Sequence, residues 1–259
     1  MKNFRVWYLY SINSFQRTLT NRFITLVFVV SKFIRIAIFL FFLNLLLQGV
    51  SSLAGYTREQ IIFFYLSFNL IDTGSQFLFR NVYSFRPLIV SGDLDLILLK
   101  PINPLIRVLL GGMDIMDGIM LLIILAVVVY FGITSLSVPV FFWLGYFLLI
   151  INSIFISAAF HIFVLGFGVV TTSVDHLILI YRDLTSLMRI PVDVYIEPLR
   201  SLLTFVIPLG VMYTFPPKFL IGLLSWQLIV LSFILSVVFV LISLVFWSRC
   251  LRSYQSASS

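Results

Sequence analysis

Long apolar runs alternate with short polar breaks along most of this chain, and the breaks hold most of its ionisable residues. The first run extends from about Phe23 to Gln48, the second from Thr57 to about Phe79, and the third from near Leu109 to near Ile133. The last runs from about Leu220 to Trp247. Each is long enough for an α-helix to cross a hydrocarbon core about 30 Å thick. Val140 to Thr172 is too long for one ordinary span, and Asp175, His176, Arg182 and Asp183 follow it before Met188. Gly166 and Gly168 are candidate breaks, so a cytoplasmic turn is expected within Phe160 to Gly168, between spans four and five.

The remaining segments read differently. In residues 1–22, Phe4, Tyr8, Ile12, Phe15 and Leu19 recur at helical spacing opposite Arg5, Asn13, Gln16 and Arg17. That is the pattern of an interfacial helix, and no small-residue cleavage site makes it a signal peptide. Between Arg189 and Pro217, five prolines separate two runs, Ser201 to Ile207 and Leu209 to Phe215, each too short to span. Re-entrant helices entering from the outer side fit them. The expectation is one all-α integral membrane domain: an interfacial helix over 1–22, spans one to five over 23–188, an outer re-entrant region over 189–219, and span six with a tail over 220–259.

Local signals sharpen some boundaries. Thr57 and Gln60 stand at capping-box spacing, so span two starts there. The stretch Ser91 to Leu105, S-G-D-L-D-L-I-L-L-K-P-I-N-P-L, is a short helix or turn-helix bounded by Gly92, Pro101 and Pro104. Arg80, Arg86, Lys100 and Arg107 surround it, and Arg249 and Arg252 follow the last run, which places this loop and both termini in the cytoplasm by the positive-inside rule. Both termini inside require an even number of spans, and six satisfies that.

Composition agrees: 61% of residues are hydrophobic and 10% charged, far from the roughly one-quarter charged content of soluble domains. The single cysteine, Cys250, excludes a disulfide framework. A net charge of +7 points to anionic lipid headgroups rather than nucleic acid, because the basic residues cluster at the ends of apolar runs.

Within the spans, Lys32 and Arg35 lie one turn apart on one face, and Asn69, Asp72 and Gln76 form a stripe directed at other helices. Asp114 and Asp117 stand at the start of span three, where the helix dipole favours carboxylates. Lys32, Arg35, Asp72, Asp114 and Asp117 are therefore candidates for an intramembrane polar network, with structural and substrate-contacting roles both open. No G-x-x-x-x-G-K-[ST] and no H-E-x-x-H occurs. The fragment Asp114-Ile-Met-Asp117-Gly118 resembles the start of the CDP-alcohol phosphotransferase motif, in which clustered aspartates hold metal. Two further carboxylates of that motif are absent. An intramembrane lipid-modifying enzyme using Asp114 and Asp117, or a secondary transporter using Asp72 with Lys32 and Arg35, are the alternatives this leaves.

Four patterns together resemble the permease subunits of ABC-2 exporters, in particular the six-span branch similar to daunorubicin- and viologen-type exporters. They are the basic N-terminal helix ending at Asn21-Arg22-Phe23, the G-Y-T-x-E-Q opening of span two, the Ser91 to Leu105 stretch, and P-V-D-V-Y-x-x-P-L-R-S-L-L-T-F-V-I-P-L from Pro191. The resemblance implies a non-catalytic subunit of the bacterial inner membrane, with no cofactor in this chain and with ATP and Mg bound by a partner P-loop ATPase in two copies. It implies a second permease subunit, identical or homologous, besides lipid. It also makes Gly92, Asp93, Asp95, Lys100 and Pro101 the ATPase-coupling residues and Pro191 to Pro217 an outer gate.

Overall fold

The structure, a computed structural model, describes residues 11–12, 22–49, 52–136 and 138–254. The expected interfacial helix falls almost wholly outside these residues. Among them the secondary structure is helical, with no strand. The apolar runs thus build an all-α integral membrane protein, and five helices are long and apolar enough to span.

Helix α1 (Arg22–Leu46) ends in a 3-10 turn, Leu47–Gly49, and α2 (Arg58–Phe79) follows. The capping box is formed: Gln60 N donates to Thr57 Oγ1 at 3.4 Å, and Thr57 N donates to Gln60 Oε1 at 3.0 Å. Two of the orphan donors that open a helix are satisfied this way. Helix α2 is the most buried spanning helix, enclosed by α1, by α6 and by α7. Three short helices follow, α3 (Phe85–Val90), α4 (Asp93–Leu98) and α5 (Pro104–Leu109). Then come α6 (Ile115–Leu136), α7 (Val140–Thr171) and α8 (Val174–Ser186).

Beyond α8 the proline-rich segment breaks into pieces: a short helix Leu199–Ser201 running into a π-helical turn Leu202–Val206, then α9 (Leu209–Tyr213) and α10 (Phe215–Leu220). None reaches half a membrane thickness on its own. Their inner faces are covered, with Leu203, Leu209, Met212 and Tyr213 fully buried against α2 and α7. The last helix, α11 (Trp226–Arg252), packs along α7.

Three boundaries differ from the sequence expectation. Span three begins at Ile115, because Pro104 to Leu109 forms a separate helix whose N-cap, Asn103, accepts from Leu105 N and Ile106 N. Span six begins at Trp226, since Gly222 takes a positive φ of 73° and ends α10. The third is a correction of the expected turn within Phe160 to Gly168. Helix α7 continues through those residues to Thr171 and reverses at Thr172, whose φ is 57° and whose N–H donates to Gly168 O at 2.9 Å. The glycines serve approach rather than breakage: a Cβ on Gly166 would lie 2.7 Å from Phe246, and one on Gly168 would lie 2.6 Å from Val174. The segment expected as span five is the shorter α8, continued by a 3-10 turn, Leu187–Arg189.

Helices α7 and α11 run parallel, since Asn152 meets Ser232, Phe160 meets Phe239 and Phe167 meets Phe246, and the buried residues form two cores. One core holds Phe79, Val82, Phe85, Leu94, Val108, Leu165, Val174 and Trp247, and it joins α3, α4 and α5 to α7, α8 and α11. The other surrounds Phe63, Phe64, Tyr146, Leu209 and Tyr213.

Candidate functional site

Polar side chains first meet where α1, α2 and α6 converge. Lys32 is buried, and its Nζ lies 2.6 Å from Asp117 Oδ1, with Asp117 fully enclosed. Arg80, just past α2, reaches Asp114 Oδ2 at 3.2 Å and lies 3.7 Å from Asp117 Oδ2, its guanidinium over the rings of Phe28 and Tyr83. Asp114 Oδ1 also accepts from Met116 N at 2.9 Å, opening α6. Each carboxylate of the metal-like fragment thus faces a cation, and no cluster of three or more His, Cys, Asp or Glu occurs among the described residues. Two cations compete with any metal there by charge alone.

Beside this network lies a cleft of about 660 Å³ between α1, α2 and α8. Arg35, Asn69, Asp72, Gln76, Arg182 and Arg189 are its principal polar lining, with Phe39, Phe42, Tyr65 and Phe68 as apolar walls. Gln76 joins it to the ion network: its Nε2 donates to Asp72 Oδ2 at 2.7 Å, and its Oε1 accepts from Lys32 Nζ at 3.4 Å. Lys32 and Arg35, neighbours on α1, therefore do different work. Lys32 is engaged with Asp117, whereas Arg35 is exposed on the cleft wall.

The third feature is the end carrying α3, α4 and α5. Gly92 takes φ 78°, a left-handed conformation costly for residues with a Cβ, and thereby turns α3 into α4. Leu94 and Ile97 then point into the core, while Leu96 and Leu99 are 58% and 82% exposed. Asp93 accepts from Ser91 Oγ at 2.7 Å and is exposed, as is Lys100. Asp95 is half-buried beside Tyr254, and burial together with this carboxylate pushes the Tyr254 phenol up from its ordinary range. Pro101 lies in the turn between α4 and α5. Arg86 on α3 meets Asp175 at the start of α8, 2.8 Å away.

At the opposite end Asp193 gathers three partners. Tyr56 Oη donates to its Oδ2 at 2.8 Å, Lys218 Nζ donates to its Oδ1 at 2.8 Å, and Arg200 lies 3.6 Å from Oδ1. Burial disfavours the charged carboxylate, but the bonds from Lys218 and Tyr56 outweigh burial and hold Asp193 below its usual range. The same burial and the Asp193 charge push the Tyr56 phenol far up.

The model of a family described as ABC-2 family transporter protein matches residues 33–258. The chain belongs to this family. It is a multi-pass membrane permease of an ABC transporter, a kind of protein that works with ATP-binding partners. The match covers the sites described above except Lys32 and Phe28, and it shows the ABC-2 family without deciding the daunorubicin-type branch. No curated protein and no solved structure matches the chain significantly.

In this ABC-2 permease ion pairs join Lys32 to Asp117 and, through Arg80, Asp117 to Asp114, and Gln76 adds Asp72, while Arg35 lines the cleft with no ion pair among the described residues. Arg80, read from the sequence only as a loop charge, is the hinge of that network. Asp193, Arg200 and Lys218 carried no individual role in the sequence reading. A signal was present, because Tyr56 and Asp193 belong to two of the motifs that carried the family resemblance, and these two motifs touch.

Proposed function

We propose that this permease forms one half of an exporter's membrane path and is driven by a cytoplasmic ATPase that docks on Ser91 to Leu105. The observation that carries this reading is the shape of α4. One face is fixed by Leu94 and Ile97 in a core shared with α7, α8 and α11, and the other presents Leu96 and Leu99 beside Asp93 and Lys100. Exposed leucines rimmed by charges outside the lipid core mark a protein contact. A push on such a helix is transmitted through packed side chains rather than absorbed by a loose loop.

On this reading the end bearing α3 to α5 and both termini are cytoplasmic, in a cell membrane. The arrangement is two permeases, identical or homologous, with two ATPase subunits. ATP and Mg are held by the ATPase and no cofactor by this chain, whose role is non-catalytic. ATP-driven closure displaces α4 and, through the shared core, α8, which forms one wall of the cleft. The cleft is the substrate path, and the segment from Pro191 to Pro217, latched at Asp193, closes its outer mouth. ATP then selects between two packings instead of doing chemistry in this chain.

Co-expression of the full chain with the ATPase encoded beside it tests the docking. The native pair co-purifies, and Asp93→Arg combined with Leu99→Glu abolishes the association while the permease still elutes as a folded species. Undiminished association and transport in that variant removes Ser91 to Leu105 as the docking surface.

A further inference from the structure

The cleft's charges do not balance. Arg35, Arg182 and Arg189 line it, and Asp72 is the one carboxylate among its lining residues. All ten acidic side chains of the chain fall within the described residues, because residues 1–10, 13–21, 50–51, 137 and 255–259 contain none. The ion pairs of the described residues engage Asp114, Asp117, Asp175, Asp193 and Glu197, and none involves these three arginines. Asp72 itself accepts from the Gln76 amide. Arg189 lies over the Phe39 ring at 5.5 Å, which leaves its charge uncompensated.

Their position makes the imbalance expensive. Arg35 sits midway along α1, a helix long and apolar enough to span, and Arg182 lies on α8 across the cleft from it. Intramembrane cations without a counter-charge are costly and mark sites that receive one from elsewhere. The apolar walls, Phe39 and Phe42 from α1 and Tyr65 and Phe68 from α2, line the same cleft as the arginines.

We propose that the cleft binds an amphiphile with an anionic headgroup, a phosphate or carboxylate, over an apolar tail; this rests on the reading of the cleft as the substrate path. Guanidinium groups present paired donors that fit the oxygens of either headgroup. The aromatic walls take the tail, and the cleft's volume lies within the range of small-ligand sites. A second permease copy as sole occupant fits less well. Across a two-fold axis it sets arginines against the same arginines, and an anion between them relieves that repulsion.

The test uses the full-length chain in nanodiscs of neutral lipid without ATPase, so its failure leaves the docking claim untouched. The probe is dansyl-undecanoate, with its uncharged methyl ester as control. At neutral pH the anion binds about tenfold more tightly than the ester, and the double variant Arg35→Gln/Arg182→Gln loses most of that preference. Arg249→Gln, on α11 and outside the cleft lining, leaves it unchanged. Asp72→Asn, which removes the sole lining carboxylate, strengthens binding of the anion and not of the ester. Dodecyl phosphate and laurate compete, and the stronger competitor identifies the headgroup; dodecylphosphocholine does not compete. Equal binding of anion and ester overturns the proposal. If the double variant fails to fold, Asp72→Asn decides, and unchanged affinity in it also overturns the proposal. Loss of a dimer on arginine substitution with no probe bound assigns the cleft to a second copy and overturns it as well.

Discussion

Lys32 Nζ lies 2.6 Å from Asp117 Oδ1, a buried ion pair joining two helices across 85 residues of sequence. Such a pair is balanced: the attraction repays a large desolvation cost, and removing one partner leaves the other charge buried alone. Lys32→Met is therefore expected to destabilise the protein by about 3–5 kcal/mol, and Lys32→Met/Asp117→Leu to recover most of the loss. Thermal unfolding of the purified variants in one detergent measures both. A single variant as stable as its parent would show that the pair does not hold α1 to α6.

The latch at Asp193 is sensitive to acid. Its carboxyl is held below the ordinary value by Lys218 and Tyr56, so its contribution is complete above the unfolded value, about 3.9, and disappears as pH falls through its lower folded value. Asp193→Asn is expected to cost about 2 kcal/mol at neutral pH and to flatten the acid limb of the stability curve. Hydrogen exchange of Val192 to Tyr195 across pH reads this locally. An acid limb of the same shape in the variant contradicts the assignment.

Thr172 caps α7 with a left-handed backbone that a β-branched residue adopts at a cost. Thr172→Gly relieves it and is expected to raise stability by about 1 kcal/mol. Gly168→Leu, where Val174 already occupies the space of a Cβ, is expected to lower it. Opposite outcomes for the two substitutions, read by the same thermal assay, would place the break elsewhere than Thr172.

What the sequence revealed about this molecule was mostly local. The capping box at Thr57 and Gln60, the turn at Gly92 and the carboxylates opening α6 are set by residues within one or two turns of each other, and the structure has each of them. Gly166 and Gly168 misled because a glycine in a helix reads alike whether it breaks the helix or admits a neighbour. Which of these it does depends on Phe246 and Val174, and in the first case on a helix 80 residues away. The hinge role of Arg80 and the convergence of Arg35, Arg182 and Arg189 depend likewise on which helices meet. Spacing along one helix carries no record of that.

The central claim is that an ATPase moves this permease through α4, and a photocrosslinker placed at Leu99 tests it most directly. With the ATPase co-expressed, benzoylphenylalanine at Leu99 is expected to give a covalent permease–ATPase adduct whose yield changes when ATP is added. The same group at Val140, exposed at the opposite end, is expected to give none. Equal adducts from both positions, or none from Leu99 while the complex remains assembled, would contradict the account.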